Sequence, residues 1–215
     1  MKVTQVSSLD QYLKDDMTIM VGGFLGVGTP EKLISRIVKK GYKNITLICN
    51  DTAFIGKGAG KLIEHHLVKK AIVSHIGTNP ETGRQMISNE IEVNLVPQGT
   101  LAEKVRAGGV GLGGILTATG IGTEVQKGKT VVEVEGKEYI LEAPLRADLA
   151  LIFASVADEK GNLIYYGSTR NFNPIMAMAA DTVFVEAKEI VPVGALNPSE
   201  IVTPHILVDY IVKGE

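Results

Sequence analysis

Apolar positions fall into short runs along this chain, and the period of each run predicts its structure. Ile19-Met20-Val21 is uninterrupted, as in a strand covered on both faces. It passes through Gly22, Gly23, Gly26 and Gly28 into a segment where Leu33, Ile34, Ile37 and Val38 recur on one helical face. Thr29 reads as the N-cap of that helix and Pro30 as its first residue. Lys39 and Lys40 fill its last turn, and Gly41 is the C-cap glycine. Upstream, Ser7 or Ser8 is expected to cap a short helix through Lys14. Downstream the runs predict a strand over 44–49, a helix over 58–66, strands over 71–75 and 93–96, and a helix over 101–107.

Such β-α-β-α-β alternation implies an α/β fold, an open and mostly parallel sheet with helices on both faces. Loops that follow the C-terminal ends of parallel strands carry the site. Residues 22–28, 50–54, 75–79 and 97–100 are therefore expected to converge on one edge of the sheet. The tract from Gly108 to Gly114 is too glycine-rich for regular structure and too apolar for an ordinary linker, so it reads as a connector or a loop pressed against something. Alternation around Glu135-Gly136 predicts a β-hairpin over 130–135 and 137–141, an excursion from the parallel sheet. The chain then returns to α/β, with buried strands over 149–154 and 182–185 and a turn over 158–162. Asn173 and Pro174 repeat the device of N-cap and first residue, and 207–212 is expected to add an edge strand. One compact unit over 1–215 is the expected organisation.

Composition narrows the function. A net charge of -2, no Trp and 5% aromatic residues exclude a basic, ring-studded nucleic-acid surface. The longest apolar runs are too short to span a bilayer, and the N-terminal residues lack the apolar core of a signal peptide, so a cytoplasmic location is expected. A single cysteine, Cys49, leaves no intrachain disulfide. His65-His66 has no second ligand pair at metal spacing, and no metal is expected.

Gly22 to Gly28 either brings a ligand to backbone amides at the positive end of a helix, as an anion or phosphate cradle, or forms a tight turn in which glycine serves packing alone. Its spacing matches neither G-x-G-x-x-G nor a P-loop. Asp51, after the second strand, could hold a ribose hydroxyl, which keeps a nucleotide-binding dehydrogenase open. A domain sensing a phosphorylated sugar is a further alternative. Arg146 and Asp148 are expected to form a structural pair or an interface contact.

Residues 16–30, DMTIMVGGFLGVGTP, are similar to the N-terminal signature of the A (alpha) subunit of family I coenzyme A transferases, of the acetate/acetoacetate and butyrate/acetoacetate type. Further matches are NDTAF at 50–54, SHIGTNP at 74–80, VPQGTLAE at 96–103, PLRAD at 144–148 and NFNP at 171–174, so the resemblance spans nearly the whole chain. It implies ping-pong transfer of coenzyme A between a short-chain acyl-CoA and a carboxylate. It also implies a nucleophilic glutamate in a Ser-Glu-Asn-Gly motif on a B (beta) subunit. This chain lacks that motif; Ser88-Asn89-Glu90 differs in order and reads as a polar turn. The chain is thus expected to be half of a site, in a heterodimer or higher assembly, with a heterotetramer expected. Under this reading Gly22, Gly23, Phe24, Leu25, Gly26, Val27 and Gly28 contact coenzyme A, which is a substrate and not a resident cofactor. Gln98 stabilises the developing oxyanion or positions substrate, its amide donating without titrating and Gly99 leaving space beside it; the other reading of Gln98 is a residue that ties down a turn. A complete monomeric enzyme would need Glu81, Glu90 or Glu103 as nucleophile.

Overall fold

The computed structural model describes residues 2–214. In chain order its elements are β1 (Val3–Thr4), β2 (Thr18–Val21), α1 (Glu31–Lys40), β3 (Ile45–Cys49), α2 (Gly60–Glu64), β4 (Val68–Val73), α3 (Pro80–Ile87), β5 (Glu92–Leu95), α4 (Gln98–Gly109), β6 (Ile115–Thr117), β7 (Val131–Val134), β8 (Lys137–Glu142), β9 (Ala147–Asp158), β10 (Leu163–Ile164), α5 (Asn173–Met176), β11 (Ala180–Val191) and β12 (Tyr210–Lys213). The large sheet has the order β1-β12-β11-β9-β2-β3-β4-β5, every neighbouring pair along it parallel, with β10 added antiparallel to β9. The expected α/β fold with a mostly parallel sheet is what forms.

Alternation along the central strands sends side chains to two cores. Ile19, Val21, Leu47 and Leu149 meet Leu33, Ile34 and Ile37 of α1 and Leu62 and Ile63 of α2 on one face. Met20, Ile48, Ala150 and Ile152 meet Leu101 and Val105 of α4 and Met176 of α5 on the other. Complete burial of Leu33, Ile34 and Ile37 contributes about 1.5–3 kcal/mol for each side chain. The α1 C-terminus ends as its sequence predicts, with Gly41 left-handed at φ 73°.

Several local expectations change. Thr29 does not cap α1: the N-cap position is Pro30, and the Thr29 hydroxyl makes no hydrogen bond. The N-terminal segment is a 3-10 helix over Val6–Tyr12 with Gln5, not Ser7 or Ser8, at its cap position. Residues 207–212 do not make the sheet edge, because the short β1 pairs outside β12. β9 and β11 run on to Asp158 and Val191, longer than their apolar cores suggest. Gly108 and Gly109 are not loop. They close α4, where a Cβ on either would strike the Leu145 carbonyl oxygen at 2.0 Å or the Met178 Cβ at 2.5 Å, so glycine lets the helix end pack on these neighbours. Arg146 and Asp148 do not pair with each other: Arg146 binds Asp181 and the Gly108 carbonyl, and Asp148 accepts from the Thr18 amide.

The predicted hairpin is present, its turn made by Glu135 (φ 52°) and Gly136 (φ 74°), and β6 joins it as a third antiparallel strand. Glu142, 2% exposed, receives ammonium groups from Lys104 of α4 and Lys129, and so fastens this small sheet to the body.

Candidate active site

The chain proceeds from β2 outward through β3, β4 and β5, then returns to lay β9 on the other side of β2. That reversal opens a crevice at the C-terminal ends of β2 and β9, the place where open α/β sheets usually bind ligands. Here it is filled by protein. Asn173 was expected as a helix N-cap. Instead its Oδ1 accepts from the Phe153 amide at 3.0 Å, and its Nδ2 donates to the carbonyls of Gly28 at 3.0 Å and Thr169 at 2.8 Å. Asn171 Oδ1 accepts from the Gly23 amide at 3.1 Å, and its Nδ2 donates to Val27 O at 3.1 Å. A Cβ on Gly22 would lie 1.8 Å from Asn173 Oδ1, so Gly22 is glycine because the asparagine occupies the space.

The glycine loop has few donors left. Gly22 N donates to Leu151 O, Phe24 and Val27 exchange amides and carbonyls across a tight turn, and Leu25 N donates to the Asp51 carboxylate. Glu186 of β11 caps the helix that follows, its Oε2 accepting from Lys32 N at 2.7 Å and Leu33 N at 3.2 Å. Burial holds the Glu186 carboxyl above the ordinary carboxylate value, against the pull of these two amides. The anion cradle read from the glycine spacing is therefore largely occupied by the protein's own side chains. What the loop exposes is its tip: Phe24 and Val27 project, and beside Gly26 (φ 79°) the nearest atoms to an added Cβ are those of Lys57 at 3.8 Å.

The four loops do converge. Gln98 Nε2 donates to Asn50 Oδ1 at 2.8 Å, Ser74 Oγ donates to Asn50 O at 2.7 Å, and Thr78 Oγ1 donates to Ala53 O at 2.8 Å. Between them lies a groove of about 380 Å³ lined by Phe24, Leu25, Asn50, Ser74, His75, Thr78 and Gln98. Gln98 is the first residue of α4 and is exposed, and Nε2 has a second hydrogen for a ligand. Asn50 is wholly buried and anchors it. Ser74 and His75 carry no assigned role in the sequence, although both fall in the SHIGTNP match at 74–80 and His75 opens one of the four converging loops.

Asp51 is committed to the protein, accepting from Leu25 N, Ala53 N and Asn50 Nδ2, which leaves it poorly placed to hold a ribose. Cys49 is buried, and burial pushes its thiol well up. No carboxylate lines the groove. Glu81 and Glu90 lie on the surface, where Arg84 pulls both carboxyls down to about 2, and Glu103 pairs with Arg106 at 2.5 Å. His65 bonds the Lys61 carbonyl and His66 contacts Glu90; among the described residues no cluster of His, Cys, Asp and Glu could hold a metal. Among the same residues no helix is long and apolar enough to cross a membrane.

A doubly wound sheet whose strand-end loops gather amide and hydroxyl donors around one glutamine matches a known architecture, and the chain belongs to the coenzyme A transferase family, whose profile covers residues 3–214. Within it, the chain is 53% identical over 212 residues to the acetoacetyl-CoA:acetate/butyrate CoA transferase alpha subunit of Clostridium acetobutylicum, covering 99% of this chain and 97% of that one. It is 54% identical over 214 residues to the acetate CoA-transferase subunit alpha of Escherichia coli, covering 100% and 97%. The fold matches an acyl-CoA transferase from Escherichia coli solved as a thioester complex with CoA, at TM-score 0.86 and 24% identity; 99% of this chain aligns with 47% of that one, so this chain spans about half of its length. Glutaconate coenzyme A-transferase from Acidaminococcus fermentans aligns at TM-score 0.86 and 18% identity over 100% of this chain and 76% of that one.

Proposed function

We propose that this chain is the alpha subunit of a two-subunit, cytoplasmic short-chain acyl-CoA:carboxylate CoA-transferase that exchanges coenzyme A among acetate, butyrate and acetoacetate. A glutamate of the beta subunit attacks the thioester carbonyl and expels the CoA thiolate, leaving an acyl-glutamyl anhydride. The thiolate attacks the glutamyl carbonyl, releasing the carboxylate and forming glutamyl-CoA, and the incoming acid reverses both steps. Each attack places negative charge on a carbonyl oxygen. A preorganised donor against such charge contributes about 3 kcal/mol to the transition state. Gln98, held by Asn50, is that donor, and the tip from Phe24 to Val27 meets coenzyme A.

The observation that carries this reading is the groove itself: Gln98, with a second Nε2 hydrogen free, lines it and no carboxylate does. It has the means to stabilise an oxyanion and lacks the nucleophile. The purified chain is expected to consume no acetoacetyl-CoA with acetate, and borohydride after acyl-CoA treatment should modify no glutamate in it. Mixing with the beta subunit restores turnover and places the modification on the partner. Turnover by the chain alone, lost in Glu81→Gln, Glu90→Gln or Glu103→Gln, would overturn the half-site reading.

A further inference from the structure

In the groove beside Gln98 the hydrogen-bond donors divide into those the protein consumes and those it leaves. Ser74 Oγ gives its one hydrogen to Asn50, Thr78 Oγ1 gives its own to Ala53 O, and Asn50, wholly buried, turns Nδ2 to Asp51 Oδ2 at 2.7 Å. Two donors remain. One is the second Nε2 hydrogen of Gln98, whose first goes to Asn50 Oδ1. The other belongs to His75, which is exposed, lines the groove and makes no side-chain hydrogen bond among the described residues. Either neutral tautomer of its ring carries one N–H.

The imidazole is also placed. A Cβ on Gly77 would lie 2.8 Å from His75 Cε1 and 3.2 Å from Nε2, so the ring rests over the Gly77 backbone. Glycine is needed there for the ring and not for torsion, because its φ lies outside the left-handed region. The two free donors stand on one hydrogen-bonded unit, since the Asn50 Oδ1 that holds Gln98 also accepts from Ser74 Oγ at 3.2 Å and Ser74 directly precedes His75. Phe24 and Leu25 supply the apolar part of the lining. An acyl group with oxygen only at its reacting carbon engages Gln98 alone, whereas one with a second oxygen further along the chain can engage both donors.

We propose that His75 determines acid specificity, its ring N–H donating to the 3-oxo oxygen of acetoacetate while Gln98 faces the carboxyl carbon that reacts. Butyrate has the same four carbons and gives the ring nothing to bind. This inference rests on the CoA-transferase reading and assigns a residue to a discrimination which that reading leaves open. A site that hydrogen-bonds a substrate oxygen rejects the analogue lacking it; because this ring is exposed and water can replace the missing oxygen, the preference it confers is about tenfold.

The test uses the reconstituted two-subunit enzyme with acetyl-CoA as donor and acetoacetate or butyrate as acceptor, and reads the ratio of the two kcat/KM values. His75→Phe keeps a ring and removes the donor, and is expected to lower the acetoacetate-to-butyrate ratio about tenfold with no change in melting temperature. His75→Gln and His75→Asn bring an amide hydrogen near the Nε2 and Nδ1 positions, and one of them is expected to restore the ratio to within about threefold of wild type. Gly77→Ala pushes the ring off its seat and is expected to lower the ratio about threefold with His75 intact. An unchanged ratio in His75→Phe, whatever happens to the two rates together, overturns the assignment. So does a ratio that neither amide variant restores, which would make the ring's shape and not its donor the cause. Weaker association of the two subunits with the ratio intact overturns it in favour of an interface contact. Absence of wild-type turnover with either acid would instead overturn the CoA-transferase reading.

Discussion

The loop after β2 and the start of α4 lie on the same edge of the sheet and look alike in sequence, each a strand end followed by glycine and a helix. Physically they are opposites. In the first, Asn171, Asn173, Asp51 and Glu186 take up most of the amides, and three of the four glycines are small because protein atoms sit where a Cβ would go. In the second, the first-turn amides are free and Gly99 borders open space, while a buried, unmatched threonine hydroxyl is common to both regions, at Thr29 and at Thr100. Glycine content therefore does not identify a binding loop. Unmatched donors that solvent can reach do, because such a donor is what a ligand can satisfy.

The largest effect should come from disturbing the occupied region. Gly22→Ala drives a Cβ into Asn173 and should lower stability by about 3 kcal/mol or more, read as a shift of the urea midpoint. A variant as stable as wild type would show that the asparagine clamp yields and that the crevice can open. Next, Gln98→Ala should lower kcat of the two-subunit enzyme about 100-fold, with little change in the KM for acyl-CoA and none in the melting temperature. Unchanged kcat removes Gln98 from the chemistry. Gly99→Ala separates the regions more finely: in a helix with empty space around it, alanine should raise stability by about 0.5–1 kcal/mol, while the KM for the acid rises. Loss of stability there would mean that α4 begins against protein and not against ligand space.

The smallest effect concerns Glu186. Its carboxyl titrates above its ordinary value in the folded state because it is buried, so charging it costs more in the folded chain than in the unfolded one. Its contribution to stability is then full below the unfolded value, 4.5, and is lost as pH rises through the folded value. In pH-dependent denaturation the stability of wild type relative to Glu186→Gln should fall as pH rises above the unfolded value of 4.5. A difference that grows with pH would show the capped carboxylate to be net favoured by α1.

Much of the fold was legible from local pattern. The apolar triplet at Ile19, the one-sided periodicity of α1, Gly41 at its end and Glu135-Gly136 in the hairpin each express a backbone or burial requirement met within a few residues. The convergence of four loops follows from the parallel alternation, which also puts Gln98 just past a strand end. Asn173 was misread for the opposite reason: Asn followed by Pro is a sound helix start, yet its amide was claimed by Phe153 and by the loop after β2, 145 residues away at Gly28. Asp51 and Glu186 went the same way, toward Leu25 and α1.

By itself, then, the sequence determined the α/β alternation, the buried strands, the helix and hairpin ends and the edge on which chemistry would gather, since these depend on periodicity and backbone torsion within short windows. Only the tertiary structure decided which donors on that edge are consumed and which remain free. A polar group is satisfied by whatever side chain the folded topology brings within 3 Å, and that partner can stand anywhere along the chain.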